Sequence, residues 1–244
     1  MTYNEFRLEA ERLFELNKVA DLPSADKIER LYELTRIMLE VNEHMNLTAI
    51  TDCSQIILKH YIDSLSVSRY IPEGAEIIDV GCGAGFPCLP LAICREDIKI
   101  TALDSTAKRI AYVQQTADKL GLSGLSSVAA RAEAYGNDAK HRESYDMAVA
   151  RAVADMPVLC ELCLPLVKVG GCFAAMKAAK GEEEFARATN AIKKCGGANE
   201  RIIRADLTND GIEFEKRCLI ITEKVASTPK NYPRNFAQIS KKPL

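Results

Sequence analysis

Three glycines at alternate positions, Gly81, Gly83 and Gly85, follow the run Ile77-Ile78-Asp79-Val80 and precede Phe86-Pro87. Glycine reaches positive φ without penalty and lets a ligand come close to the backbone. A helix starting just beyond would offer unpaired N–H groups. Such a turn suits the adenosine-containing cofactors that open α/β sheets bind beyond the carboxyl end of the first strand. Three details choose among them. Phe86 stands where the dinucleotide fingerprint needs its third glycine for close helix packing. Asp79, two residues before Gly81, would attract a cationic methionine moiety and repel a pyrophosphate. Pro87 and Pro90 remove N–H donors that a phosphate would use. The cofactor that fits is S-adenosylmethionine, which carries a sulfonium charge and no phosphate. A structural turn without a ligand is the plainer alternative.

Other polar residues fall at equivalent places. Asp104 closes the second apolar run, 23 residues past Gly81. A carboxylate there can accept both ribose hydroxyls, or it can simply cap a helix. Ser105 follows it. Ala132-Glu133 come after the third run, where an adenine ring would lie. Arg151 ends the fourth, at the mouth where donor and acceptor would meet; its plainer role is a salt bridge. That run reads Ala148-Val149-Ala150-Arg151-Ala152 and lacks the Asn/Asp-Pro-Pro-aromatic motif used to methylate exocyclic amines. It also lacks the cysteine nucleophile that carbon 5 of cytosine demands; Cys88 sits on another element and reads as helix packing. His44, His60 and His141 are scattered and form no metal-ligand spacing. The acceptor is then an atom nucleophilic in itself. A ring nitrogen such as N7 of guanine has a free lone pair and needs no general base. Rate would come from holding it in line with the methyl group and from local electrostatics.

The elements that must position these residues are legible in the apolar spacing. Phe6, Ala10, Leu13 and Phe14, then Ile28, Leu31, Leu34, Met38 and Val41, recur at helical intervals. Ser24 is placed to cap the second run, and a third helix is expected over 55–70. From residue 75 short apolar runs at 77–80, 98–103, 125–130, 145–150 and 172–176 alternate with helical stretches. Runs at 201–205 and 217–221 follow with no helix between them and should form an antiparallel edge pair. The pattern predicts an α/β doubly wound, Rossmann-like fold with a seven-stranded, mostly parallel sheet and an N-terminal helical extension. The expected divisions are a helical layer over 1–72, the sheet domain over 73–225 and a basic, proline-containing tail over 226–244. The tail reads as irregular. Its basic residues are Lys230, Arg234, Lys241 and Lys242, with Lys224 just before it and no acidic residue beyond.

Composition sets limits. No stretch is long and apolar enough for a membrane span, and the charged N-terminus has no signal core. The expectation is a cytoplasmic monomer. Nine cysteines, many in apolar runs, read as reduced, buried small hydrophobes and not as a disulfide framework. A net charge of −2 leaves nucleic-acid binding to local clusters.

The motifs together resemble the ribosomal RNA small-subunit methyltransferase G family, also called glucose-inhibited division protein B. The resemblance runs over nearly the whole chain. It rests on Asn46-Leu47-Thr48, His60-x-x-Asp63-Ser64 and Asp79-Val80-Gly81-x-Gly83-x-Gly85-Phe86-Pro87-x-x-Pro90. Leu103-Asp104-Ser105 with Lys108-Arg109, Arg151-Ala152 and Thr228-Pro229-Lys230-x-Tyr232-Pro233-Arg234 complete it. It implies a class I methyltransferase that uses S-adenosylmethionine and methylates N7 of a guanine in 16S ribosomal RNA. The partner would be that RNA, the small subunit or an assembly intermediate. Cofactor contacts are implied at Gly81, Phe86, Ala132, Glu133 and Arg151.

Spacing alone leaves the upstream motifs open. His60 and Asp63 share a helix face, and with Ser64 they would line the cleft over the cofactor, or only make local hydrogen bonds. Asn46 is a helix C-cap or a base-contacting amide. Lys108 and Arg109 are a solvated helix start or phosphate contacts; Lys177, Lys180, Lys230 and Arg234 are further candidates for RNA. Another RNA or a small molecule as substrate, and a binding module that has lost catalysis, are the competing functions.

Overall fold

The run that opens the sheet becomes β1 (Glu76–Val80), and its side chains divide between two cores. Ile77 joins the cluster under the N-terminal helices, while Ile78 and Val80 join the cluster on the other face. A strand covered on both faces must be apolar throughout, which is why no alternation shows in its sequence. These features come from a computed structural model describing residues 1–19 and 23–244.

Two long helices precede the sheet. α1 (Tyr3–Leu16) starts in a capping box between Thr2 and Glu5. α2 (Ala25–Met45) is capped by Ser24 and buries Ile28, Leu31, Leu34 and Met38. It ends at Asn46, which takes the left-handed conformation with φ 49°. The helix expected over 55–70 forms from residue 53, but its pitch changes along its length and it turns at 66–67. It is assembled from α3 (Cys53–Ile56), a π-helical stretch (Ile57–Ile62), α4 (Asp63–Leu65) and a 3₁₀ turn (Ser68–Tyr70). The wider π turns are a common device at functional sites. Their apolar side chains enter the same core as α1, α2 and the sheet, so the helical layer shares its core with the sheet.

The chain then alternates through α5 (Cys88–Cys94), β2 (Lys99–Asp104), α6 (Ala107–Lys119), β3 (Leu125–Ala129) and α7 (Ala132–Asn137). It continues through β4 (Tyr145–Arg151), α8 (Met156–Cys163), β5 (Val167–Ala178), α9 (Gly181–Ala186) and α10 (Thr189–Lys194). β6 (Gly197–Arg204), the small ribbon β7 (Leu207–Thr208) and β8 (Phe214–Glu215), β9 (Arg217–Lys224) and α11 (Phe236–Lys241) complete it. The sheet order is β3-β2-β1-β4-β5-β9-β6. All pairs are parallel except those of β9, which runs antiparallel between β5 and β6. The strand order reverses between β1 and β4, so the crevice beyond their carboxyl ends is the place for a ligand. Register brings Asp79 level with Ala102 and Val149, and Asp104 level with Ala129.

All nine cysteines are free thiols, and burial pushes the Cys94 thiol up to about 12. Among the described residues no helix is long and apolar enough to cross a membrane.

The tail departs from expectation: it is docked and partly helical. Asn235 caps α11 by accepting from the Gln238 N–H, and Ile239 is fully buried against the core beneath α8. The Arg142 guanidinium donates to the carbonyls of Thr228 and Tyr232, and Asn137 Nδ2 to that of Pro233. Arg234 makes a two-pronged pair with Glu161, Nε to Oε1 at 2.8 Å and Nη2 to Oε2 at 2.6 Å. Glu161 is 0% exposed, so the pair offsets a large desolvation cost. Lys224, 1% exposed, reaches Leu164 O at 2.7 Å and Glu143 at 3.1 Å. Removing the arginine alone strands a buried carboxylate. Arg234→Ala should therefore destabilise the fold by about 3 kcal/mol, and Arg234→Met with Glu161→Leu by less; urea denaturation of both variants measures the difference.

Candidate cofactor and acceptor site

A cavity of about 440 Å³ opens at the predicted crevice. Its floor is the glycine turn, where φ is 77° at Gly81, 55° at Gly83 and 89° at Gly85. The turn is tied to the end of β2: Leu103 O accepts from Gly81 N at 2.7 Å and Cys82 N at 3.1 Å. A Cβ on Gly81 would lie 2.5 Å from Val153 Cγ2, so the position has neither the dihedral nor the room for a side chain.

Asp104 joins the two strand ends through its side chain. Oδ2 accepts from Gly83 N at 3.1 Å and Oδ1 from Thr106 N at 2.8 Å. Each oxygen keeps lone-pair capacity toward the cavity, which Asp104, Ser105, Thr106 and Arg109 line. Asp104 is not the cap of α6, a place taken by Thr106; it anchors the turn backbone and lines the cavity. Ala130, Arg131, Ala132 and Glu133 line the cavity beyond β3, and Arg151, Ala152 and Val153 beyond β4.

Asp79 is placed differently from the sequence expectation of direct charge contact. It is fully buried beneath the turn and does not line the cavity. Oδ2 accepts from Cys88 N at 3.0 Å, the start of α5, while Oδ1 has no partner. Burial pushes its carboxyl up to about 7 against the pull of that hydrogen bond and of Arg151.

Over the turn stands Phe86. The His60 ring stacks on it at 4.4 Å between centroids and 15° between planes. The Arg151 guanidinium carbon lies 5.2 Å from the same centroid. Arg151 Nη1 donates to Lys59 O at 2.8 Å and to Asp63 Oδ2 at 2.9 Å. His60 Nε2 is 2.9 Å from Thr48 Oγ1, whose oxygen also accepts from Ile50 N. The sequence motifs Asn-Leu-Thr and His-x-x-Asp thereby meet the glycine turn from the helical layer. Burial, then the nearby Arg151 charge, lowers the His60 pKa to about 4. The imidazole is neutral at physiological pH.

Several sequence candidates lie elsewhere. Ser64 is fully buried and outside the cavity lining, so it does not line the cleft as expected. Asp63 also stays behind the wall and serves to hold Arg151. Asn46 is exposed and acts as the C-cap of α2; its neighbours Leu47 and Thr48 line the cavity instead. Lys177 is 8% exposed, bonded to Ala154 O and paired with Glu184 at 2.6 Å, and Arg234 is taken by Glu161. Neither fits the expected contact with RNA, because each neutralises a buried or half-buried carboxylate inside the fold. Lys108, Arg109, Lys180 and Lys230 are exposed. Val153, Leu162 and Phe236 line the cavity without having been expected there. Only Phe236 had a signal: Asn235 as cap with apolar residues at 236 and 239 is a short amphipathic turn. Among the described residues no cluster of His, Cys, Asp or Glu is placed to hold a metal.

A sequence model of rRNA small subunit methyltransferase G matches residues 10–209. The chain belongs to this family. It is 43% identical over 246 residues to the ribosomal RNA small subunit methyltransferase G of Halalkalibacterium halodurans, covering all of both chains. It is 49% identical over 216 residues to the namesake enzyme of Staphylococcus carnosus, covering 87% of this chain and 88% of the other. Among solved structures, a SAM-dependent methyltransferase from Aquifex aeolicus superposes with a TM-score of 0.53 at 16% identity. That match covers 79% of this chain and 98% of the other and establishes the shared fold.

The cavity suits the adenosyl cofactor of such folds: apposed backbone at the glycines and a carboxylate edge at Asp104. Gly81→Val should leave a folded protein whose affinity for S-adenosylmethionine is weaker by at least about tenfold, or 1.4 kcal/mol; calorimetric titration checks it. His60 gives a pH signature. Between about 6.5 and 4 the unfolded chain protonates this imidazole and the folded chain does not, so its contribution to stability is lost as pH falls through that window. Urea denaturation from pH 7 to 4 should show a shallower loss in His60→Gln than in the parent chain.

Proposed function

We propose that this protein transfers the methyl group of S-adenosylmethionine to N7 of a guanine in 16S ribosomal RNA, on the small subunit or an assembly intermediate. The observation that carries the reading is the join between the glycine turn and the family motifs at Phe86. The same aromatic ring that roofs the cofactor turn supports His60 and Arg151. This contact supports a reading in which the acceptor is held over the donor.

The groups at that join favour an acceptor that brings its own lone pair. His60 is neutral, but Thr48 occupies Nε2. Asp63 is bound by Arg151 and lies behind the wall. Cys88, next to the turn, is buried and outside the cavity lining, and burial raises its thiol well above its ordinary value. The cofactor would supply an electrophilic methyl carbon on a sulfonium sulfur, and an acceptor with its own lone pair would need no proton removed before the transfer. The chain's own contribution is placement. Asp104 and the glycine backbone fix the donor, while the Phe86, His60 and Arg151 surface offers a flat wall for a base. Exposed Lys108, Arg109, Lys180 and Lys230 are the remaining candidates for phosphate contacts.

The test incubates the protein with methyl-labelled cofactor and small subunits that lack the modification. Label recovered in 16S RNA as 7-methylguanine is the expected result. Label in protein or a small molecule, with none in RNA, would overturn the reading.

A further inference from the structure

The family match ends at residue 209, yet the cavity has a wall contributed by residue 236. Phe236 is the first residue of α11, and its ring is held by Arg131, whose guanidinium carbon lies 5.6 Å from the ring centroid. Arg131 itself lines the cavity between Ala130 and Ala132, beyond β3. It lies past the third strand, where the sequence reading puts an adenine ring. The tail has no freedom to place Phe236 elsewhere. Arg234 is pinned to Glu161, Asn235 caps the helix, and Ile239 is buried beneath it. Together these fix the residues just before and just after the ring. Phe236 is also 39% exposed, more than its role in packing would require. A large aromatic ring is thus left partly open at the edge of the cavity.

We propose that Phe236, oriented by Arg131, is a cofactor-binding residue that covers the adenine base of S-adenosylmethionine. The C-terminal helix is then part of the cofactor site and not an appendage to it. This rests on assigning the cavity to that cofactor. Aromatic rings stack on any base face, and one such contact contributes enough to set affinity. Arg131 acts as a positioning residue: its charge lies against the ring and draws it toward the β3 end.

Calorimetric titration of the full chain with S-adenosylmethionine, S-adenosylhomocysteine and adenosine tests the assignment. Phe236→Ala should weaken all three by a common factor of about tenfold, because the base is what they share. Phe236→Tyr should restore the parent affinity, and Phe236→Leu, which keeps apolar bulk without the flat face, should not. Equal affinity of the parent, Ala and Leu forms overturns the proposal, as does loss of RNA binding with cofactor affinity unchanged. If Phe236→Ala unfolds, the Tyr and Leu forms still decide. Gly81→Val separates the two levels. Weakening by that variant with none at Phe236 removes the role of the tail alone, whereas no binding by the parent chain removes the cofactor assignment itself.

Discussion

The site depends on how the ends of β1 and β2 are tied together. A chain leaving a buried strand must turn without satisfying its N–H groups in the sheet, and an orphaned donor there costs as much as a lost hydrogen bond. Here the carbonyl of Leu103 takes two of them and the carboxylate of Asp104 a third. Asp79 takes the N–H of Cys88 and so fixes where α5 begins. The glycine turn is therefore stretched between the β2 end and the α5 start, and its three positive φ values follow from that. Everything placed above it, Phe86 first, inherits the constraint.

Charge in this protein divides into groups that hold the fold and groups left for solvent or ligand. Arg151, Lys177, Lys224 and Arg234 each face a carboxylate, and each sits where two elements would otherwise separate. Arg151 is the most consequential. Through Asp63 and the Lys59 carbonyl it fastens the π-helical stretch to the end of β4, which sets the spacing between the helical layer and the cofactor turn. Asp63 is further approached by Arg217 at 3.7 Å, so the pairing reaches into β9.

Much of this was legible in the sequence, for identifiable reasons. Strands β1 to β5 announce themselves as apolar runs because both faces are covered, and Gly81, Asp104, Ala132 and Arg151 could be located on the chain because each lies at or within three residues of a strand end. What was not legible depends on partners distant in the chain. Nothing near Arg234 or Lys177 in sequence reveals Glu161 or the Ala154 carbonyl, so spacing offered them as surface cations. Asp79 read as a charge for the ligand because its depth below the turn is set by α5, whose start the sequence marked only with prolines. The widening to π pitch within the helix over 55–70 has no marker residue; it accompanies the packing of Ile57, Leu58 and Tyr61 into one core while His60 reaches Phe86.

β9 runs against its neighbours, so it delivers the chain to the edge of the sheet farthest from the cavity. Residues 225–235 then climb back past Arg142, Asn137 and Glu161 before Phe236 reaches the mouth. One wall of the crevice is consequently held from a distance: the contacts of residues 225–235 with Arg142, Asn137 and Glu161 set where Phe236 stands, so the shape of the cavity mouth depends on packing on the opposite side of the sheet.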